Sequence, residues 1–369
     1  MFRRRTLPLL LLILLGGALL PAAAAQEGST VADYILDGRL FLLNGDCELA
    51  QYYFREALKL EPENAEALVG NGRALACRNN YPLAIDAFQE AIEVDPENVD
   101  AYVHLALTYQ DQHLADAEQF PNRLNEALRT LEMAEGYAPE DGRVLNAKGV
   151  VLFQMGSLQA ARTELEKAAE ASVRRNSGLS PAEQSVVHVN LGRAYRDLGN
   201  LEQALTAFRR AVVLNPASST AHSNVGNIHY RLGNCHEAEY ELAQAAALDP
   251  ESLSAVSQLA IALFECGNVA ASVPHFERAL DLNGAVFNPP LYTYLARAYL
   301  ELDRFDEAVF RAQQGAVLPP LSPEAYYYLG RTYEARSANG DRDAARDAFR
   351  RALELDPGFE AAQQALESF

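Results

Sequence analysis

A fixed period of about 34 residues organises most of this chain. The pairs Glu61-Pro62 and Asp95-Pro96 place two prolines one period apart, and Asn215-Pro216 and Asp249-Pro250 repeat the same spacing. A further pair of this kind is Asp356-Pro357. A period of this length is typical of proteins that stack one small structural unit many times. The sequence therefore predicts an array of repeats.

Small residues recur at fixed positions within each period, and large apolar residues lie between them at helical spacing. One small residue is found early in each of nine units, at Gly38, Gly72, Ala106, Gly149, Gly192, Gly226, Ala260, Ala296 and Gly330. Two more follow in the second half of each unit, such as Ala50 and Ala57 in the first. Small side chains let two helices approach to about 8 to 10 Å, so each unit is predicted to be an antiparallel helix pair.

The order of these residues resembles the tetratricopeptide repeat family: Gly or Ala at the eighth position, Ala at the twentieth, a bulky residue four later, another Ala and a closing Pro. The resemblance implies an all-α fold, a right-handed α-solenoid of antiparallel helix pairs, with about nine repeats. The predicted repeats are residues 31–64, 65–98, 99–141, 142–175, 185–218, 219–252, 253–286, 289–322 and 323–359.

Two irregularities interrupt this array, and a short segment follows it. The third repeat carries extra residues around Leu114 to Pro121, and residues 176–184 form a linker between repeats 1–4 (31–175) and repeats 5–9 (185–359). Within the linker, Ser180-Pro181-Ala182-Glu183 is a helix-start sequence, with Ser180 as the cap. Residues 360–369 are predicted to form a capping helix over the last apolar face.

The N-terminal segment 1–25 has the three parts of a secretory signal peptide. Arg3, Arg4 and Arg5 precede an apolar stretch from Leu7 to Leu20, and small residues follow up to Ala25. That stretch is shorter than the roughly 20 residues a spanning helix needs. We therefore expect cleavage near Ala25 and a periplasmic or secreted protein without membrane insertion of the mature chain, although an uncleaved anchor is the alternative.

The chain is strongly acidic. Its net charge is −19, and loss of three arginines with the leader makes it −22. Phosphate backbones repel such a chain, so nucleic acid is not an expected partner.

The four cysteines form two pairs with similar spacing, Cys47 with Cys77 and Cys235 with Cys266. Within the repeat pattern, each pair joins the start of one second helix to the end of the next first helix, and these places are neighbours in an antiparallel stack. Export permits disulfides. We therefore predict these two bridges, with buried free thiols as the alternative.

Catalytic and metal-binding patterns are not found in the sequence. His222 and His229 lie seven residues apart on one helical face and could share a metal, but both occupy packing positions of the repeat, so core histidines are the favoured interpretation. The repeats also leave no stretch of the usual 50 residues or more for a catalytic domain. We therefore expect no enzyme activity, no metal and no cofactor.

In the resembling family, the first helix of each repeat lines a concave groove that binds polypeptide segments. The residues of this chain that match the groove are Asn146, Asn190, Arg193, Arg196, Asn224, Asn227, Tyr230, Gln258, Arg297, Tyr327 and Arg331. Arg39 and Arg73 occupy the same repeat position as Arg193. Amides can bind the backbone of an extended peptide, and guanidinium groups can bind carboxylates. The alternative is that the arginines neutralise acids of adjacent repeats.

The expected function is therefore non-enzymatic: a scaffold or adaptor that binds an extended, acidic polypeptide segment in an exported or envelope assembly. Its oligomeric state is left open. A second hypothesis is binding of an envelope polysaccharide or another non-protein polymer. It depends on the cluster Tyr326, Tyr327, Tyr328 and Tyr333, whose rings could stack on sugars.

Overall fold

The computed structural model describes residues 30–174, 179–283 and 288–369. The predicted signal peptide, residues 1–25, lies outside the described residues, as does part of the predicted linker. The described residues form nineteen α-helices and no strand. They fall into two compact units, Met1–His104 and Leu105–Phe369, with the boundary inside one helix.

The helices follow one another along the chain. The first nine are α1 Val31–Leu43, α2 Cys47–Leu60, α3 Ala65–Cys77, α4 Tyr81–Val94, α5 Val99–Ala115, α6 Arg123–Tyr137, α7 Gly142–Gln154, α8 Leu158–Ser172 and α9 Pro181–Asp197. The others are α10 Leu201–Leu214, α11 Ser219–Arg231, α12 Cys235–Leu248, α13 Leu253–Glu265, α14 Val269–Asn283, α15 Pro289–Glu301, α16 Phe305–Ala316, α17 Pro323–Arg336, α18 Asp341–Leu355 and α19 Glu360–Glu367.

Odd-numbered helices up to α17 are the first helices of the predicted repeats, and even-numbered helices are the second. The two helices of a pair pack against each other, as α9 does with α10 and α11 with α12. This is the predicted fold class, an all-α solenoid of paired helices. Since the repeat period follows directly from helix length and turn length, the period was sufficient to locate the pairs.

A large side chain from the second helix fills the space that the small residues leave. In Met1–His104, Phe54 and Phe88 are fully buried, and in Leu105–Phe369 the same role falls to Leu165, Phe208, Leu242, Phe276 and Phe349. Apolar burial of this kind is the main term that holds one repeat to the next.

Helix ends follow the local sequence. Ser180 caps α9, its side chain accepts from the Glu183 backbone, and the Glu183 carboxylate accepts from the Ser180 backbone. This is the helix start that the Ser-Pro-Ala-Glu sequence predicts, and it places residues 181–184 of the predicted linker inside α9. The insertion of the third repeat begins by lengthening α5 as far as Ala115, and α6 then starts at Arg123.

The last helix packs on the second helix of the ninth repeat. α19 contacts α18, Ala362 is fully buried, and the ring of Phe369 lies 5.9 Å from that of Phe349. In the described part of the chain, no helix is long and apolar enough to cross a membrane.

Candidate functional site

Consecutive first helices of Leu105–Phe369 contact one another. Such contacts join α7 to α9, α9 to α11, α11 to α13, α13 to α15 and α15 to α17. Among the described residues of this unit, consecutive second helices make no comparable contact. The first helices therefore present one continuous face, which we call the first-helix face of α7, α9, α11, α13, α15 and α17.

Two predicted groove amides bind each other across neighbouring first helices. Asn190 of α9 donates from Nδ2 to Oδ1 of Asn146 in α7, at 2.9 Å. Both side chains are only partly buried. An amide has two N–H donors and an oxygen with two lone pairs, so one such bond uses only part of its capacity.

A second amide pair lies further along the same face. Asn227 of α11 donates to Oε1 of Gln258 in α13 at 3.0 Å, and Gln258 in turn donates to the Ser254 hydroxyl at 3.0 Å. Asn224 instead donates to the Thr220 carbonyl of its own helix at 2.8 Å. The predicted row of amides is thus a set of linked pairs that hold neighbouring repeats together.

Arg193 is an exposed cation of this face. Its guanidinium carbon lies 5.5 Å from the ring centroid of Phe153 in α7. Among the described residues, no carboxylate forms an ion pair with Arg193. The neighbouring Arg196 differs, because its Nε lies 2.7 Å from the Asp197 carboxylate.

Arg297 is held in a frame of three aromatic rings. Its guanidinium carbon lies 4.8 Å from the ring centroid of Phe264, 5.1 Å from that of Tyr294 and 4.9 Å from that of Tyr328. The side chain is only 21% exposed, and the nearest carboxylate oxygen, from Glu265, lies 3.6 Å away. In the described part of the chain no residue accepts a hydrogen bond from this guanidinium, so its planar edge can still bind an acceptor.

Two of the rings around Arg297 are tyrosines, and a third tyrosine, Tyr230, is close enough to be affected by its charge. Burial raises the pKa of Tyr230, Tyr294 and Tyr328 above the ordinary value, nearby Glu265 raises it further, and the positive charge of Arg297 opposes both effects. These phenols are therefore neutral hydrogen-bonding groups at physiological pH.

Tyr327 contributes mainly to packing at the end of the array. Its ring lies 5.8 Å from the ring of Phe349 and 5.6 Å from that of Phe359. Arg331 donates to the Tyr327 hydroxyl at 3.1 Å and pairs with Glu334 at 3.2 Å. Much of the stacking surface on which the polysaccharide hypothesis depends is thus used inside the fold.

The unit Met1–His104 carries its own arginines at the matching position. Arg39 pairs with Glu66 of the next repeat at 2.6 Å. Arg73 lies beside that pair, at the edge of a small polar pocket of about 200 Å³ that Asp100 also lines. Arg39 and Arg297 both have an acid of an adjacent repeat close by, which is the alternative that the sequence left open.

Both predicted cysteine pairs are bonded in the structure. Cys47 at the start of α2 joins Cys77 at the end of α3, with 6.0 Å between their Cα atoms. Cys235 at the start of α12 joins Cys266 just after α13, with 5.7 Å between their Cα atoms. Each bridge links one repeat to the next.

The two histidines that could have shared a metal have other partners. His229 is buried, and its Nε2 lies 3.1 Å from the Arg209 guanidinium. His222 lies 2.7 Å from the Glu241 carboxylate through Nδ1. No cluster of three or more metal-ligating side chains occurs in the residues that the structure describes.

Comparison with known sequences identifies the repeat. A family profile described as Tetratricopeptide repeat matches residues 36–99, 72–120, 113–177, 257–323 and 295–358, and one described as TPR repeat matches residues 192–233. The first profile alone covers more than half of the chain. The chain belongs to the tetratricopeptide repeat family.

Several solved tetratricopeptide structures resemble this chain at low sequence identity. TTC0263, a thermophilic TPR protein of Thermus thermophilus, is 20% identical, with 54% of this chain and 98% of that chain covered and a TM-score of 0.48. The APC/C hetero-tetramer Cut9-Hcn1 is 18% identical, with 93% and 63% covered and a TM-score of 0.56. YrrB, described as a TPR protein with an unusual peptide-binding site, is 21% identical, with 55% and 95% covered and a TM-score of 0.38.

Sequence reasoning did not place the supporting rings beside Arg193 and Arg297 of the first-helix face, although it named Tyr328 as a possible stacking surface. Phe264 lies one repeat period after the groove candidate Tyr230. Tyr328 lies one period after Tyr294, another ring of the frame. The period could have identified these two. Phe153 had no such signal, because its contact with Arg193 depends on how α7 and α9 pack.

The tetratricopeptide fold is in general a scaffold for protein interactions. Its first-helix face in this chain combines linked amides, an exposed arginine and an arginine framed by rings. Such groups bind ligands by hydrogen bonds and charge, and they place no nucleophile beside a general base.

Proposed function

We propose that this protein is a non-enzymatic scaffold that binds an extended, acidic polypeptide segment along the first-helix face of Leu105–Phe369. The observation that carries the proposal is Arg193, which is exposed on that face and backed by Phe153. A guanidinium backed by a ring is already ordered, so less side-chain entropy is lost when it binds a carboxylate.

The amide pairs favour a polypeptide as the ligand. Asn190 and Asn146, and then Asn227 and Gln258, are linked side by side along successive helices. Their remaining N–H and C=O groups match the donors and acceptors of an extended backbone, which are the same for every residue type. This chemistry gives affinity that does not depend on the bound side chains.

Arg297 supports a second anchor on the same face. Three rings hold the guanidinium in place, and its N–H groups can still donate hydrogen bonds to a carboxylate of the ligand. Glu265 at 3.6 Å partly screens this charge, so Arg297 is expected to bind more weakly than Arg193.

An exported location is part of the proposal. It rests on the leader pattern of residues 1–25 and agrees with two cysteine pairs at bonding positions, since disulfides persist outside the reducing cytosol. In this proposal the protein acts in an envelope or secreted assembly and supplies binding only.

The test uses the mature chain and a displayed library of random peptides. We expect selection of acidic sequences, and a several-fold weaker capture of them by the triple variant Arg193→Ala, Asn224→Ala and Asn227→Ala. Helicity should change little, and stability should fall by only about 1 kcal/mol, because the variant loses one part-buried hydrogen bond between repeats, that of Asn227 to Gln258. The matched control is Arg210→Ala, which removes an exposed arginine of the second helix α10.

Two results contradict the proposal. One is unchanged peptide capture by the triple variant, which would move the site away from this face. The other is selective binding of an acidic polysaccharide without any peptide selection, which would favour the second hypothesis from the sequence.

A further inference from the structure

The first repeat exposes an apolar surface on its first helix. In the fifth repeat most of the equivalent positions are covered by the preceding helix pair. On α1, Leu36 is 66% exposed, Leu40 53% and Leu43 82%. These three residues are spaced four and three apart, so they lie on one side of the helix. Beside them the rings of Phe41 and Tyr53 stack 5.2 Å apart, and Tyr34 lies 6.4 Å from Tyr53. We call Tyr34, Leu36, Leu40, Phe41, Leu43 and Tyr53 the first-repeat end face.

The fifth repeat shows what these positions normally do. The residues at the matching repeat positions are Asn190 for Leu36, Ala194 for Leu40, Tyr195 for Phe41 and Ala207 for Tyr53. All four contact the preceding repeat. Asn190 bonds Asn146, Tyr195 bonds Glu166 of α8, and Ala194 and Ala207 belong to one apolar cluster with Leu165 of α8. Four of the six end-face positions, those of Leu36, Leu40, Phe41 and Tyr53, are thus ones that the preceding helix pair covers in the fifth repeat.

A terminal repeat that faces water normally carries polar residues on its outer side. The other end of the described array is closed, because α19 packs on α18 and Phe369 lies against the buried ring of Phe349. The first-repeat end face has neither a polar composition nor a covering helix among the described residues.

The mature chain offers little to cover it. After cleavage at Ala25, four residues precede Thr30, namely Gln26, Glu27, Gly28 and Ser29. None of them has an apolar side chain.

We propose that the first-repeat end face binds the same face of a second copy, which gives a two-fold dimer joined at the N-terminal repeats. The leucine spacing is self-complementary. When two copies of α1 lie antiparallel, Leu36 of one meets Leu43 of the other, and the two Leu40 side chains meet near the axis. A head-to-tail array would require displacement of α19, so association is expected to stop at two copies.

The dimer buries apolar surface between two acidic chains. Each mature chain has a net charge of −22, so the copies repel at low ionic strength, and salt screens that repulsion. We therefore expect dimerisation to strengthen several-fold with added salt, the opposite of an interface that charge pairs hold together.

The test is sedimentation velocity of the mature chain from Gln26 over a wide range of concentration. We expect a monomer–dimer equilibrium, and a dimer about tenfold or more weaker for Leu40→Glu, because the substitution places two carboxylates at the axis. The matched control is Leu83→Glu on α4, a leucine of similar exposure at 51% outside the end face, which should leave dimerisation unchanged. Circular dichroism checks that both variants stay folded.

A single engineered cysteine tests whether the two copies of α1 meet at residue 40. Leu40→Cys should form an intermolecular disulfide under mild oxidation, and Leu83→Cys should not. A mature chain that stays monomeric at all concentrations overturns the proposal. So does a dimer that Leu40→Glu leaves intact, and so does growth into oligomers larger than two.

Discussion

The ring of Phe208 lies so close to Gly192 that a methyl group on residue 192 would come within 2.5 Å of the Phe208 Cε1 atom. Gly192 occupies the small position of the first helix α9, and Phe208 is the fully buried side chain of its partner helix α10. The same relationship joins Gly226 to Leu242, with 2.6 Å to the Leu242 Cγ atom. The eighth position of the repeat therefore sets how closely the two helices approach.

Gly192→Ala is expected to destabilise the protein even though alanine is the better helix former. Helix propensity alone favours alanine by about 1 kcal/mol. The added methyl group must push α9 away from a ring that cannot move, and overpacking of this kind costs about 1 to 3 kcal/mol. Urea unfolding should therefore show a net loss of about 1 kcal/mol.

The matched control is Gly136→Ala on α6, where nothing lies within 4 Å of the added methyl group. This variant should gain about 0.5 to 1 kcal/mol. Equal effects of the two substitutions would contradict the steric argument. In the seventh repeat Ala260 occupies the repeat position of Gly192 and belongs to one apolar cluster with the buried Phe276. A helix pair whose spacing suits alanine therefore tolerates alanine at the eighth position.

Loss of the bridge between Cys235 and Cys266 should lower stability. It closes a loop with a sequence separation of 31, for which the chain-entropy estimate gives roughly 3.5 kcal/mol at 25 °C. The double variant Cys235→Ser and Cys266→Ser should unfold at lower urea concentration. A reductant should have the same effect on the parent protein and a smaller one on the variant. Four free thiols in unfolded, unreduced protein would contradict both bridges.

Tyr195 should make stability fall in alkaline solution. Burial, and then its hydrogen bond to the Glu166 carboxylate at 2.7 Å, raise the pKa of the Tyr195 hydroxyl to about 12. In the unfolded chain the phenol ionises near pH 10. Its contribution is therefore complete below pH 10 and is lost as pH rises from about 10 to 12.

Tyr195→Phe isolates this effect. The variant should lose less stability than the parent over that pH range, and the difference spectrum between parent and variant should show one tyrosine that ionises late. If the two proteins lose stability in parallel above pH 10, the bond to Glu166 has no such role.

The sequence predicted the helix pairs, the small positions and the cysteine pairing because all three follow from one period. Helix length and turn length fix where each element begins, so Gly192 and Cys235 could be placed without coordinates. The groove residues stay a prediction. The period placed Asn190 and Asn227 on the first helices but did not show that each binds an amide of a neighbouring first helix.

The frame around Arg297 could not be read from the period alone. Tyr294 lies slightly more than one period after Gln258, because extra residues separate the seventh and eighth repeats, so the regular spacing misses it. Its stacking also depends on side-chain rotamers across three helices, which sequence periodicity does not encode. Contacts at regular repeat positions, including the two disulfides between helices, were therefore predictable, and the ring contacts of Arg297 across the first-helix face were not.

The buried His229 and the half-buried His188 and His275 should make the protein less stable in mild acid. Burial lowers the pKa of His188, His229 and His275, and at His229 the nearby Arg209 lowers it further. The unfolded chain binds protons at these groups below about pH 6.5 while the folded chain resists them. The unfolded state then holds more protons, so the free energy of unfolding falls as pH drops through that value.

Urea unfolding at a series of pH values from about 7.5 to 5 should show this fall before most carboxylates titrate. His229→Gln should make the fall shallower, with the stability of the same variant at about pH 7.5 as the reference for its packing cost. A flat profile between about pH 6.5 and 5 would mean that these histidines accept protons as readily in the folded protein as in the unfolded chain.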